Sequence, residues 1–249
     1  MPMLFLSPST QEYNIYYDQS GSEEYYMNLI ADRMEPYLVS SGITFERNDP
    51  GGSVGASVRK SNAGNFDLHL ALHSNASGSA NAGNQYGSDT YYYADSANGK
   101  RAADIIVMNL RDIYPYPDKV RALPTTTLYE LRYTRAPAVL VEIAYHDNPS
   151  DAEWIKSNLE LIARTLVVAV CEYFGVPFTD AYATRTGTVT TGGGRLNLRE
   201  KPSTDSRILT QIPNGTVITI LGENGDWYTA QYNGLTGYAF GQYITMVTQ

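Results

Sequence analysis

The chain has 249 residues, 43% of them hydrophobic and 18% charged, and a formal net charge of −8. That balance excludes a disordered chain, and its acidic sign argues against nucleic acid or an anionic membrane surface as the main partner. The single cysteine, Cys171, rules out an internal disulfide framework, and no stretch approaches the roughly 18 apolar residues a membrane span requires.

The opening MPMLFLSPSTQEYN has no basic n-region and too short an apolar run for a signal peptide. Within it, Met3–Leu6 reads as a short strand ending in Ser-Pro-Ser. Ser22–Leu38 reads as a helix with Met27, Ile30, Met34 and Leu38 on one stripe, and Ile43–Arg47 as a strand. Leu68–His73, in the run LHLALHSNA, is a strong strand that holds two of the chain's three histidines. The Gly/Ser/Asn-rich segment Ser74–Gly87 after it is either a substrate-facing loop or a long connection. Thr90–Ala94 reads as a strand and Ala102–Ile113 as a helix.

Ala138–Ala144, in APAVLVEIAYHDN, is the nearly continuous apolar run of a strand buried on both faces. Ala152–Phe174 reads as a closing helix with Ile155, Leu159, Ile162, Leu166, Val170 and Tyr173 on one stripe and Cys171 as a buried structural thiol. Strands alternating with helices predict an α/β fold, a mostly parallel sheet sandwiched by helices.

The pattern then changes. Val176–Thr186 contains Pro177 and small or polar residues, and beyond it helical periodicity gives way to short apolar runs at Gly187–Thr190, Val217–Leu221, Trp227–Tyr232 and Thr236–Tyr238. Turns of Gly, Asn and Pro separate them, which predicts a small all-β barrel. The organisation expected is a domain at 1–175, a linker at 176–184 and a barrel at 185–249.

In open parallel α/β sheets, ligands bind outside the carboxyl ends of the strands. Ser7–Thr10, His73 and Glu142 fall at such ends, and Glu24 begins the first helix on the same side. His69 and His73 share a strand face but stand a four-residue step apart, about 13 Å, so one metal cannot take both. His73 is the candidate ligand and His69 the structural residue; on spacing alone, packing and metal binding both remain open for His73.

Three stretches carry a resemblance: EYYMNLIADRMEPYLVSSGI from Glu24, LALHSNA around His73, and PAVLVEIAYHDN around Glu142. In order and spacing, residues 1 to about 175 are similar to the zinc-dependent N-acetylmuramoyl-L-alanine amidases, which cleave bacterial peptidoglycan. The resemblance implies zinc held by Glu24 and His73, and Glu142 as the carboxylate that assists the attacking water. The family also has a histidine in a Gly-His-Gly-Gly-like turn after the first strand. Here that turn reads LSPSTQEYN, the ligand position aligns near Thr10, and no histidine precedes His69. His146 is the expected replacement, as a metal ligand or substrate contact, against a capping or loop role; Gln11 or Asp67 would contribute oxygen more weakly. Asn75 in the His73 turn is a substrate-contact candidate, and Arg135 is either a contact to a peptide carboxylate or a solvated charge.

Residues 183–248 resemble a bacterial SH3-like domain through GRLNLREKPSTDSRIL, IPNGTVITIL and GDWYTAQYNGLTGYAFGQYI. Such modules tether wall hydrolases to peptidoglycan through aromatic grooves. Trp227, Tyr228, Tyr238 and Tyr243 are the candidates, Trp227 and Tyr238 foremost for the wall. At least two of the four are expected in the barrel core, Trp227 first among them.

The resemblance as a whole implies a monomeric peptidoglycan hydrolase of autolysin or endolysin type, acting outside the cell or in the wall. It would cut between N-acetylmuramic acid and the L-alanine of the stem peptide. The missing histidine supports an alternative, a metal-depleted amidase fold that binds wall or regulates other hydrolases. A hydrolase of some other amide needs only a changed pocket.

Overall fold

The computed structural model describes residues 1–181 and 185–247. The chain divides into two compact units, Met1–Ala181 and Tyr182–Gln249. The last three residues of the expected linker, 182–184, lie outside the described residues.

Six strands form the sheet of the first unit: β1 (Met3–Pro8), β2 (Thr44–Arg47), β3 (Leu68–Asn75), β4 (Ser88–Tyr93), β5 (Val120–Thr125) and β6 (Ala138–Tyr145). Their order is β2-β1-β3-β6-β4-β5, and every neighbouring pair is parallel except β4 with β6. Helices α1 (Glu23–Ser40), α3 (Ala97–Arg111) and α6 (Leu159–Phe174) pack together over one face. Helices α2 (Val54–Ala63) and α4 (Tyr129–Tyr133) cover the other, and α5 (Pro149–Ser157) follows β6. The sandwich is the expected one, its sheet mostly parallel with the single antiparallel pair β4–β6.

Local chemistry explains these elements. Ser22 caps α1, its side chain accepting the Tyr25 N–H at 3.1 Å. The stripe Tyr26, Met27, Ile30, Ala31, Met34, Tyr37 and Leu38 is buried and joins a core that includes Ile162, Leu166 and Val170 of α6. Helix α6 stops at Gly175, whose φ of 69° lies in the left-handed region that a Cβ disfavours. Cys171 is buried in α6. Leu70, at the middle of β3, has no exposed surface. Leu70→Ala is expected to cost the first unit about 2–5 kcal/mol, read as a lowered urea midpoint.

The structure departs from the expected elements in three places. The closing helical run is two helices, broken at Asn158, whose side-chain amide donates to the Trp154 carbonyl at 2.8 Å. Helix α2 has no apolar stripe to read because it buries only Ser57, Val58 and Ser61. Strand β5 lies at the sheet edge, where Pro124 is tolerated, and α4 is only five residues long.

The second unit is a seven-stranded antiparallel sheet: β7 (Arg185–Val189), β8 (Arg195–Arg199), β9 (Ile208–Pro213), β10 (Val217–Asn224), β11 (Trp227–Tyr232), β12 (Leu235–Phe240) and β13 (Ile244–Val247). Its order is β13-β7-β10-β11-β12-β8-β9. The core is aliphatic, built on Val189, Leu196, Leu198, Ile212, Ile218 and Ile220, with Ala230, Ala239 and Ile244 closing it.

This corrects the expectation that Trp227 is a core residue. Side chains alternate along a strand, and Ala230 of β11 points inward. Tyr228 shares that side and packs on the core, whereas Trp227 lies on the other face, directly across from Phe240. Tyr238 falls opposite Thr229 on the same outer face, between the buried Gly237 and Ala239. Trp227, Phe240 and Tyr243, with Arg195, Asn197 and Arg199, line a groove of about 410 Å³.

Candidate active site

The site assembles at the carboxyl ends of β1, β3 and β6. His73 comes from β3, and the parallel register sets it directly beside Glu142 of β6. Glu23, in the first turn of α1, places Oε1 2.7 Å from His73 Nδ1. The helix N-terminus favours a carboxylate there. Gln11, in the loop after β1, donates from Nε2 to Glu23 Oε1 at 3.2 Å, and the same nitrogen stands 3.3 Å from His73 Nδ1. Asn14 holds the other Glu23 oxygen at 2.7 Å.

On the far side of the His73 ring, Glu130 of α4 stands 3.7 Å from Nε2. Its other oxygen accepts the Ser7 hydroxyl at 2.5 Å and lies 2.9 Å from His69 Nε2. His69 meets Ser61 of α2 at 3.0 Å through its Nδ1. The two histidines, too far apart along β3 to share a metal, are thus bridged by one carboxylate. Gln11, Tyr13, Ser53, His73, Tyr129 and Glu130 are among the residues lining a cleft of about 410 Å³.

The electrostatics follow from this crowding. Burial opposes a charge on His73, but the carboxylates of Glu130 and Glu23, with Glu142 nearby, hold its pKa well above the usual histidine value. Burial likewise disfavours ionised Glu23 and Glu130. Contact with His73 nonetheless keeps Glu23 below the ordinary carboxylate range, and His69 with His73 does so for Glu130. Glu142 goes the other way. Burial pushes it up to about 7; the charges of Glu23 and Asp89 add to this, and His73 opposes it. Its Oε2 is buried with no hydrogen-bond partner among the described residues. Asp89, opposite Glu142 on β4, is engaged by Arg121 at 2.8 and 2.9 Å.

Several predicted positions move. Glu24 is not the residue beside His73; its carboxylate accepts from Asn28 on its own helix at 3.1 Å. Glu23 is in phase with the buried stripe, one turn before Met27, and Glu24 is not. Counting that stripe back by four would have found it. His146 does not join His73 either. Its Nδ1 lies 2.8 Å from the Ser74 carbonyl and 3.0 Å from the Ser74 hydroxyl, and its ring stacks on Tyr16 at 5.4 Å. Buried among those partners, it braces the turn after β3.

Asp67 accepts the Met3 N–H at 2.8 Å, at the amino ends of β1 and β3. Arg135 precedes the amino end of β6 and is bonded to Asn62; it lines a separate depression with Tyr93 and Leu131. Asn75, at the end of β3, turns its side-chain oxygen to the Ala76 N–H at 2.8 Å. Glu130 carried no sequence signal at all, because its partners lie 57 or more positions away and its helix is too short to show a phase.

Among the described residues, no group of three or more His, Cys, Asp and Glu side chains forms a metal cage. The donors that do converge are His73 and Glu23, with the Gln11 amide within 3.3 Å of both. With the Glu142 carboxylate on the neighbouring strand, this set offers a divalent ion a ring nitrogen, a carboxylate and a side-chain amide, which as it stands turns its Nε2 to the pair and its oxygen to Tyr13 and Asn14.

Comparison with known proteins gives the family and the fold. The pattern of the N-acetylmuramoyl-L-alanine amidases matches residues 13–172, and that of the bacterial SH3 domain residues 194–245. N-acetylmuramoyl-L-alanine amidase LytC of Bacillus subtilis (strain 168) is 33% identical over 159 residues, 61% of this chain and 31% of LytC. The putative N-acetylmuramoyl-L-alanine amidase YrvJ of the same organism is 38% identical over 65 residues, 26% of this chain and 12% of YrvJ. The chain therefore spans about a third of the length of one curated relative and less of the other.

The solved catalytic domain of CwlV, an N-acetylmuramoyl-L-alanine amidase from Bacillus (Paenibacillus) polymyxa var. colistinus, shares the fold. The TM-score is 0.62 at 17% identity, covering 71% of this chain and 100% of that one. The fold is that of an amidase-like α/β domain, joined to a bacterial SH3 domain. The chain belongs to the N-acetylmuramoyl-L-alanine amidase family, whose members are generally zinc-dependent.

Proposed function

We propose that this protein hydrolyses the amide between the lactyl group of N-acetylmuramic acid and the L-alanine of the stem peptide, acting in the wall or outside the cell. The observation that carries the reading is the unpartnered buried oxygen of Glu142 beside the His73–Glu23 pair. A carboxylate left free in such a place suits a group that receives a proton during reaction.

Glu23, His73 and Gln11 would hold a divalent ion, and when bound it would polarise the amide carbonyl and make water more acidic. Glu142 takes a proton from the attacking water as the new C–O bond forms. It then returns that proton to the alanine nitrogen as the C–N bond breaks, leaving a lactyl carboxylate and a free amino terminus. Glu130 fixes the His73 ring from its Nε2 side, so that Nδ1 faces Glu23. The outward aromatics of the second unit, Trp227 and Phe240 with Tyr243, suit contact with the sugar and peptide faces of the wall.

The test is to incubate the full chain with purified peptidoglycan and with a muramyl-L-alanyl peptide, and to count new N-terminal alanine. Release by the wild type and none by His73→Ala is the expected result. New reducing sugar ends without new alanine termini would mean another bond is cut. No release of either kind would favour the alternative of a non-catalytic wall-binding protein, for which an amide in the third donor position speaks. A chain ending at residue 181 is expected to cleave the small peptide at the wild-type rate and to lose sedimentation with cell walls. Undiminished sedimentation would remove the second unit from wall binding.

A further inference from the structure

Gln11 stands where a third strong donor would be needed. Donors that share one tetrahedral ion at bonds of about 2.0–2.1 Å stand about 3.3–3.4 Å from one another. Gln11 Nε2 is 3.3 Å from His73 Nδ1 and 3.2 Å from Glu23 Oε1, close to the spacing of a co-ligand, while Glu23 Oε1 and His73 Nδ1 stand nearer each other at 2.7 Å, a hydrogen-bond distance that a shared ion would widen. Its loop is fixed rather than free. The Ser9 N–H donates to the Leu72 carbonyl at 2.9 Å, Ser9 Oγ accepts the Gln11 N–H at 3.2 Å, and Asn48 donates to the Pro8 carbonyl at 2.9 Å. Glu142, paired with His73 across the β3–β6 register, keeps a buried oxygen without a hydrogen-bond partner among the described residues.

The amide is oriented for the pair as it stands, with Nε2 toward Glu23 and His73. Its Oε1 accepts from the Tyr13 hydroxyl at 3.1 Å and from Asn14 at 3.2 Å. A half-turn about the last side-chain bond exchanges the two ends and brings the oxygen inward. The Tyr13 hydroxyl can then accept from Nε2. Asn14 gives up the longer of its two bonds and keeps Glu23 Oε2 at 2.7 Å.

We propose that Gln11 is the third donor of the divalent ion held by Glu23 and His73, and that its amide oxygen makes the site bind zinc less tightly, and manganese relatively better, than a third imidazole would. The reason is ligand character: imidazole suits zinc, whereas carboxylate and carbonyl oxygen suit harder ions such as manganese. The inference rests on the metal-assisted reading above and extends it to the identity of the ion.

The experiment is calorimetric titration of the metal-free full chain with zinc chloride and with manganese chloride, in the wild type, Gln11→Ala, Gln11→His and His73→Ala. Gln11→Ala should weaken binding of both ions by about tenfold or more, the scale on which even outer-shell partners act. Gln11→His should tighten zinc by a similar factor and raise the ratio of zinc to manganese affinity. His73→Ala should bind neither. Equal zinc affinity in the wild type and Gln11→Ala, with His73→Ala still deficient, overturns the assignment of Gln11 and leaves the metal-assisted reading standing. A Gln11→His chain whose zinc affinity and zinc-to-manganese ratio match the wild type overturns the assignment too. If no variant, Gln11→His included, binds either ion, the assignment and the metal-assisted reading fall together.

Discussion

Glu142→Gln is expected to lower turnover by about 10²–10⁴-fold, the usual worth of a positioned acid–base group. The substitution keeps the size and shape of the side chain and removes only its capacity to take a proton. It breaks no observed hydrogen bond at Oε2, since that atom has none. Stability should therefore move in the opposite direction from activity. The folded carboxyl is pushed up to about 7 by burial, above the ordinary value near about 4.3. A carboxyl raised in this way contributes stability that is full below the unfolded pKa and is lost as pH rises through the folded one. At pH 8 the wild type carries that loss and Glu142→Gln does not, so the variant should melt higher, with the gap closing towards pH 4. Rate and melting temperature measured on both proteins across this range check the two claims together. In the wild type the rate should rise with pH through about 7 as the base ionises. Turnover of the variant within tenfold of the wild type would exclude Glu142 from the chemistry.

Removal of Glu130 is the largest structural loss expected at the site. Its carboxylate bridges His69, which has no exposed surface, the Ser7 hydroxyl and the Nε2 side of His73. Glu130→Ala strips all three contacts at once. Deleting one partner of a buried ionic pair costs on the order of 3–5 kcal/mol, because the group left behind can neither reach water nor find another partner. The first unit should unfold at a markedly lower urea concentration. Glu130→Gln, which keeps an oxygen of the same reach, should recover much of that loss. If Glu130 also orients His73, Glu130→Gln will show weaker metal binding even where its stability approaches the wild type. A purely structural role would leave binding untouched once the fold is secured.

Helix phase explains one shift between expected and observed sites. The stripe Met27, Ile30, Met34 and Leu38 was readable as a core-facing face, and the same periodicity extended one turn back reaches Glu23. Alignment to a family pattern favoured Glu24, one position and about 100° away. The burial pattern held the better information, because a helix presents one face to the sheet whatever its polar residues are. The barrel gives a parallel case. Alternation along β11 puts Tyr228 inward with Ala230 and Trp227 outward, although Trp227 is the first of the four aromatics expected in the core.

His146 shows the limit of proximity in sequence. It follows Glu142 by four positions, yet the end of β6 carries it to Ser74 and Tyr16 and away from His73. The register of β3 with β6 shifts between His73 and Asn75, just where both strands leave the sheet. Beyond such a shift, strand alternation no longer predicts where a side chain points.

By itself the sequence determined the α/β class of the first unit, the all-β character of the second, and the placement of His73 and Glu142 at strand ends. Those follow from hydrophobic period and turn chemistry, which are local and repeat along each element. Only the tertiary structure decided which polar groups meet: Glu23 and Gln11 on one side of His73, Glu130 on the other. The contacts join a loop, a helix start and a five-residue helix separated by up to 119 positions, from Gln11 to Glu130. No local pattern encodes such contacts. They are set by the packing of α1 and α4 against the same sheet, where burial leaves each charged group dependent on the partner the fold supplies.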